Sequence, residues 1–143
     1  MLRVSLYCMF ALGALLPRAA DAQARDQGAI PADVHYVVTG GRWSHAGRTG
    51  VYRVVVRTGG MDHVVSEAYV EWISTDTTEP KILLSKKAPT GSWRLDSPRF
   101  RGQGRSWRVE IEALETHFTP PVRGTWVLRL GVPGELSTTQ LRR

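Results

Sequence analysis

From Val34 onward, apolar and polar residues alternate with a period of two, and the three-to-four spacing of an amphipathic helix is almost absent. That pattern predicts strands. Val34 to Thr39 (VHYVVT) is the first, closed by Gly40 and Gly41, after which GRWSHAGRTG has the glycine density of a loop or an irregular edge. Val51 to Thr58 sets Tyr52, Val54 and Val56 on one face and Val51, Arg53, Val55 and Arg57 on the other, and Gly59-Gly60 permit a tight hairpin turn. The return, His63 to Ser74, shares Ser66, Ala68, Val70 and Trp72 on one face and places Glu67 and Glu71 opposite Arg53 and Arg57, where charge pairs fix register. Lys81 to Ser85 (KILLS), bounded by lysines, reads as a protected edge strand, and Ser92 to Asp96 as a short strand. Ser106 to Leu114 turns Trp107, Val109, Ile111 and Ala113 one way and Arg108, Glu110 and Glu112 the other. Thr125 to Val132 puts Trp126, Leu128 and Leu130 inside and Arg129 outside.

About seven strands at hairpin spacing, each apolar on one face, must bury those faces by stacking two sheets or by curling into a barrel. The expected fold is therefore all-β, a single antiparallel β-sandwich over residues 33–134, with a small β-barrel as the alternative. Trp72 on an early central strand, with Ser106 to Leu114 and its partner at the C-terminal end, resembles the immunoglobulin-like and fibronectin-like architecture across residues 33–132. The resemblance is one of layout and implies no function. Residues 135–143 read as a frayed tail.

The N-terminus changes the picture from fold to compartment. Arg3 precedes an apolar run from Leu6 to Leu16, and Ala20-Asp21-Ala22 forms a small-x-small site, as in a secretory signal peptide spanning residues 1–22 and cleaved after Ala22, with Ala24 as the alternative. The run is shorter than the roughly 20 residues a membrane-spanning helix requires, so an integral membrane protein is not expected. Residues 23–32 form a flexible lead-in. The one cysteine, Cys8, lies in the leader, so the processed chain carries no disulfide and must be held by its core, which points to a bacterial periplasmic or secreted protein. The whole chain has a formal charge of +6, and removing Arg3, Arg18 and Asp21 with the leader leaves it basic. Such an excess favours anionic partners, and an exported chain meets lipid headgroups, glycans and acidic proteins and not nucleic acid.

Candidate chemistry is sparse. The chain holds no nucleophile elbow, phosphate-cradling glycine loop or H-E-x-x-H pair, and the histidines at 35, 45, 63 and 117 stand at no ligand-like spacing. No enzyme activity, metal or cofactor is expected. Ser66 and His63 fall on opposite faces of one strand and cannot share a proton. Glu110 and Glu112 stand roughly 6.5–7 Å apart along a strand, a separation that any alternating strand produces.

The segment SWRLDSPRFRGQGRSWRVE concentrates arginine and aromatic residues, and Pro98, Gly102 and Gly104 mark its middle as a loop. Guanidinium groups bind phosphate, sulfate or carboxylate through paired donors, so Arg94, Arg99, Arg101 and Arg105 with Phe100 and Trp93 form the candidate contact surface, joined by Arg42, Trp43 and Arg48. The expected function is a non-catalytic exported binding or accessory protein that recognises an envelope protein, an anionic glycan or a lipid headgroup. The alternatives are an inhibitor or immunity protein that blocks a hydrolase, an enzyme acting on a glycan or ester, and an assembly subunit that offers the KILLS edge for strand pairing.

Overall fold

The computed structural model describes residues 30–60, 64–115 and 117–142, so the expected leader (1–22) and most of the lead-in lie outside the described residues. Eight strands follow one another: β1 (Val34–His45), β2 (Arg48–Gly59), β3 (Val65–Ser74), β4 (Lys81–Lys87), β5 (Arg94–Gln103), β6 (Ser106–Glu115), β7 (Val122–Leu130) and β8 (Leu136–Arg142). They form two four-stranded antiparallel sheets, ordered β1-β2-β3-β4 and β5-β6-β7-β8. Each sheet is a meander of sequential neighbours, and the chain changes sheet once, between β4 and β5.

The all-β, two-sheet expectation holds, with an additional strand. The immunoglobulin-like layout does not match this strand order, because that fold interleaves its strands between sheets by Greek-key connections. Of the two readings of the glycine-rich stretch after Thr39, the irregular edge holds: β1 is an edge strand whose register shifts between Gly40 and Trp43, and it runs on to His45 and turns into β2 through Ala46 and Gly47, whose φ angles of 49° and 74° are those of a two-residue hairpin turn. Two local expectations are corrected. The expected loop at 97–105 is largely strand, since β5 continues to Gln103 and pairs with β6. The expected frayed tail is β8, paired with β7 from Leu136 opposite Leu130 to Arg142 opposite Gly124.

The sheets meet through one apolar core. Tyr52, Val54, Val56, Ala68, Val70 and Trp72 come from the first sheet and Leu95, Val109, Ile111, Ala113, Leu128 and Leu130 from the second, with Trp43 and Trp93 also in the cluster. Alternation alone explains this selection, because each strand sends every second side chain inward. Several polar groups inside are paired, although the indole nitrogen of Trp126 and the amide nitrogen of Gln140 are buried without a hydrogen-bond partner among the described residues. The Trp72 indole N–H and the Tyr52 hydroxyl both donate to the Gly131 carbonyl, at 3.0 and 3.1 Å, tying the centre of the first sheet to the end of β7. Buried Ser66 accepts the Leu95 amide at 3.1 Å, and its own amide donates to the Trp93 carbonyl at 3.0 Å.

The outer face of the first sheet keeps the register that the charges predict. Arg53 stands opposite Glu71 and Arg57 opposite Glu67. Arg53 bonds Glu71 at 2.5 Å, whereas Glu67 turns to Lys87 and Tyr69, and Arg57 turns to Asp33 at 3.7 Å and lies over the Tyr69 ring. The Lys87 and Tyr69 hydrogen bonds hold the Glu67 carboxyl below its ordinary range. Across the sheets, Tyr36 of β1 donates its hydroxyl to Asp96 of β5. That bond lowers the carboxyl and raises the phenol, so the contact belongs to the interval between their ordinary titrations.

Candidate functional site

The second sheet owes its outer surface to an irregularity in β5. Register shifts between Asp96 and Arg99, where Ser97 takes a φ of 48° and Pro98 is buried. A proline is tolerated there because β5 is an edge strand and the bulge removes the ladder bond its nitrogen would have donated. Beyond the bulge, strict alternation resumes. Arg99 and Arg101 point outward and Phe100 turns inward, its ring lying so close over Gly40 of β1 that a Cβ there would meet it at 2.8 Å.

Pairing then lines these side chains up with those of the central strands. Arg101 stands opposite Arg108, and Arg108 opposite Arg129, so three arginines from β5, β6 and β7 form a row across the sheet. The neighbouring row is Arg99, Glu110, Val127 and Thr139. Directly opposed side chains on a sheet lie about 4.5–5.5 Å apart at Cβ, and like charges so placed destabilise the pairing.

Two carboxylates relieve part of that repulsion. Glu110 lies 3.0 Å from Arg108 and 3.7 Å from Arg101, and Glu112 lies 3.2 Å from Arg99. Among the described residues, Arg105, Arg123 and Arg129 have no carboxylate within ion-pair distance. All of these arginines are exposed. On the first sheet Arg53 and Arg57 have acidic partners, Glu71 and Asp33, whereas exposed Arg42 of β1 has none among the described residues. Arg123 and Arg129, with Arg105 at the β5–β6 turn, leave positive charge unneutralised on the second sheet.

Several depressions open on or beside this face, two of them at the Arg105 end. One, of about 560 Å³, is lined by Arg105, Arg108 and Arg129 together with Glu110, Trp107, Val127 and Leu141. The other, of about 530 Å³, lies between the β1–β2 and β5–β6 hairpins and brings Arg42 together with Gly104 and Arg105.

The expected contact residues therefore divide. Arg99, Arg101 and Arg105 share the face, Arg42 joins Arg105 at its end, and exposed Arg94 starts β5, at the other end of that strand from Arg105. Trp43 and Trp93 are each only 5% exposed and belong to the core, and Phe100 is packed against it, so none of the three offers a free ring. Trp43 is fixed there by its N–H, which donates to the Val51 carbonyl at 3.1 Å. Arg48 sits apart in the β1–β2 hairpin, opposite His45. Sequence reasoning missed Arg108 and Arg129 as members of the set. Their outward direction was legible from alternation, but the register that aligns them with Arg101 was not. The segment 61–63, including His63, lies outside the described residues. No family model matches the chain, and no curated protein or solved structure is significantly similar to it.

Proposed function

We propose that this is a non-catalytic binding protein of the bacterial envelope, exported by residues 1–22, which holds an anionic partner on the outer face of the β5–β8 sheet. The observation that carries the reading is the row Arg101, Arg108 and Arg129, where like charges are set side by side with fewer carboxylates than are needed to neutralise them. A stable fold gains nothing from such a row. An anion bridging the guanidinium groups converts the repulsion into charge-assisted hydrogen bonds, each worth roughly 1.5–3 kcal/mol.

The outward polar groups support binding over turnover. Glu110 and Glu112 are engaged by arginines, and Ser66 is buried as an acceptor for the backbone. The experiment is titration with a soluble polyanion such as dextran sulfate at rising salt. Wild-type affinity should fall steeply with ionic strength, and replacing Arg101, Arg108 and Arg129 together by glutamine should weaken binding at low salt by at least about a hundredfold, at roughly tenfold for each 1.4 kcal/mol lost. Equal binding by wild type and variant would remove the face from consideration.

A further inference from the structure

We infer that the anion this face takes is the phosphate of an anionic lipid at a bilayer surface. The inference rests on the anion-binding reading above and narrows it. An anionic glycan would be recognised through its charges together with an aromatic platform on which the sugar ring stacks. The rings that could have served are turned away, since Trp43 and Trp93 are buried, Phe100 lies against Gly40, and Trp107, which borders the depression, packs its ring against Gly41 and the core. What accompanies the arginines on the outward side, besides Glu110, is aliphatic. Val127 stands in the row beside Arg129, and Leu141 of edge strand β8, 52% exposed, lines the same depression as Arg105, Arg108 and Arg129.

Cationic side chains next to an exposed leucine and a half-buried valine match a lipid interface, where phosphates lie next to the glycerol and upper acyl region. In this arrangement Arg108 and Arg129 hold headgroup phosphates. Leu141 and Val127 leave water for the layer beneath. The proposed contact is peripheral, because the face is one side of a folded sheet.

The test compares full-length protein with variants that share its N-terminal segment, so that differences between them report this face alone. Sedimentation is measured with vesicles of equal phosphatidylglycerol and phosphatidylcholine, with pure phosphatidylcholine vesicles, and against dextran sulfate in solution. Arg108→Gln combined with Arg129→Gln should lower affinity for the anionic vesicles about 30-fold, at about 1 kcal/mol for each cation near such a surface. Leu141→Ser should lower it about fivefold, for the partial burial of one leucine, and leave dextran sulfate binding unchanged. Val127→Thr, which keeps the shape and adds a hydroxyl, should act in the same direction and guards against a folding defect at position 141.

Anionic vesicles held as tightly by both aliphatic variants as by wild type would overturn the lipid assignment while leaving anion binding in place, as would an equal loss of dextran sulfate binding in those variants. Arginine variants that bind every probe like wild type would overturn both.

Discussion

Trp72→Ala should lower the unfolding free energy by about 3–5 kcal/mol, the usual range for removing a large buried aromatic, and depress the thermal midpoint by roughly 10–25 °C. Trp72 is fully buried at the centre of the core, on the strand that β2 and β4 flank, and its indole fills space against both sheets. Its N–H also supplies one of the two bonds to the Gly131 carbonyl. Because Tyr52 supplies the other, the carbonyl keeps a donor when the indole is lost, and the damage comes mainly from the cavity. Trp72→Phe should therefore cost much less, about 1–2 kcal/mol, since it retains a ring and loses a shared bond. Urea titration of the two variants separates these terms. Equal losses would mean that the hydrogen bond dominates and that the core is not packed as described.

Gly50→Ala should be nearly as damaging. The position is buried in β2 opposite Ser74, and a Cβ there would be driven into the Ile73 carbonyl oxygen and the Trp43 ring, well inside van der Waals contact. The carbonyl belongs to the adjacent strand and Trp43 is held by its bond to Val51, so neither can yield without moving a strand. Overpacking of this kind costs at least about 3 kcal/mol where backbone must shift. Gly59→Ala, at the other end of the same strand, is the matched control, because nothing lies within 4 Å of a Cβ there. It should be neutral or slightly stabilising. Thermal unfolding of the pair gives the comparison, and similar midpoints would contradict the position of the Trp43 ring over Gly50.

These two cases show what the sequence carried. Alternation named Tyr52, Val54, Val56 and Trp72 as one inward face and Val109, Ile111, Leu128 and Leu130 as another, because the strand period is a local property. It failed where local signals compete with pairing. Pro98, Gly102 and Gly104 read as a loop, yet an edge strand absorbs a proline at a bulge, and glycine at 102 is required because its φ of 135° and the closeness of the Ser106 carbonyl exclude a side chain. The polar tail Leu136 to Arg142 looked frayed because its alternation is weak, and it becomes a strand because β7 presents a free edge for it. Strand order was out of reach for a related reason, since hairpin spacing suits a meander and a Greek key alike.

The candidate face follows the same division. The direction of each arginine was legible, and the segment 94–105 was singled out by composition. Which arginines stand together depends on register between β5, β6 and β7, a relation between distant parts of the chain. Register also reassigned the aromatics, sending Phe100 inward and leaving the face with Val127 and Leu141.

The account centres on Arg129 and its neighbours being placed for a ligand and not for the fold, and a single variant, Arg129→Thr, measures both properties. Among the described residues Arg129 has no carboxylate partner and stands opposite Arg108, so threonine should leave the urea unfolding free energy unchanged or raise it by up to about 0.5 kcal/mol, by relieving like-charge pairing with a good strand former. In the same preparation, affinity for dextran sulfate should fall about tenfold. A loss of more than about 1 kcal/mol in stability, with affinity for the polyanion intact, would show Arg129 to be a structural residue and contradict the account.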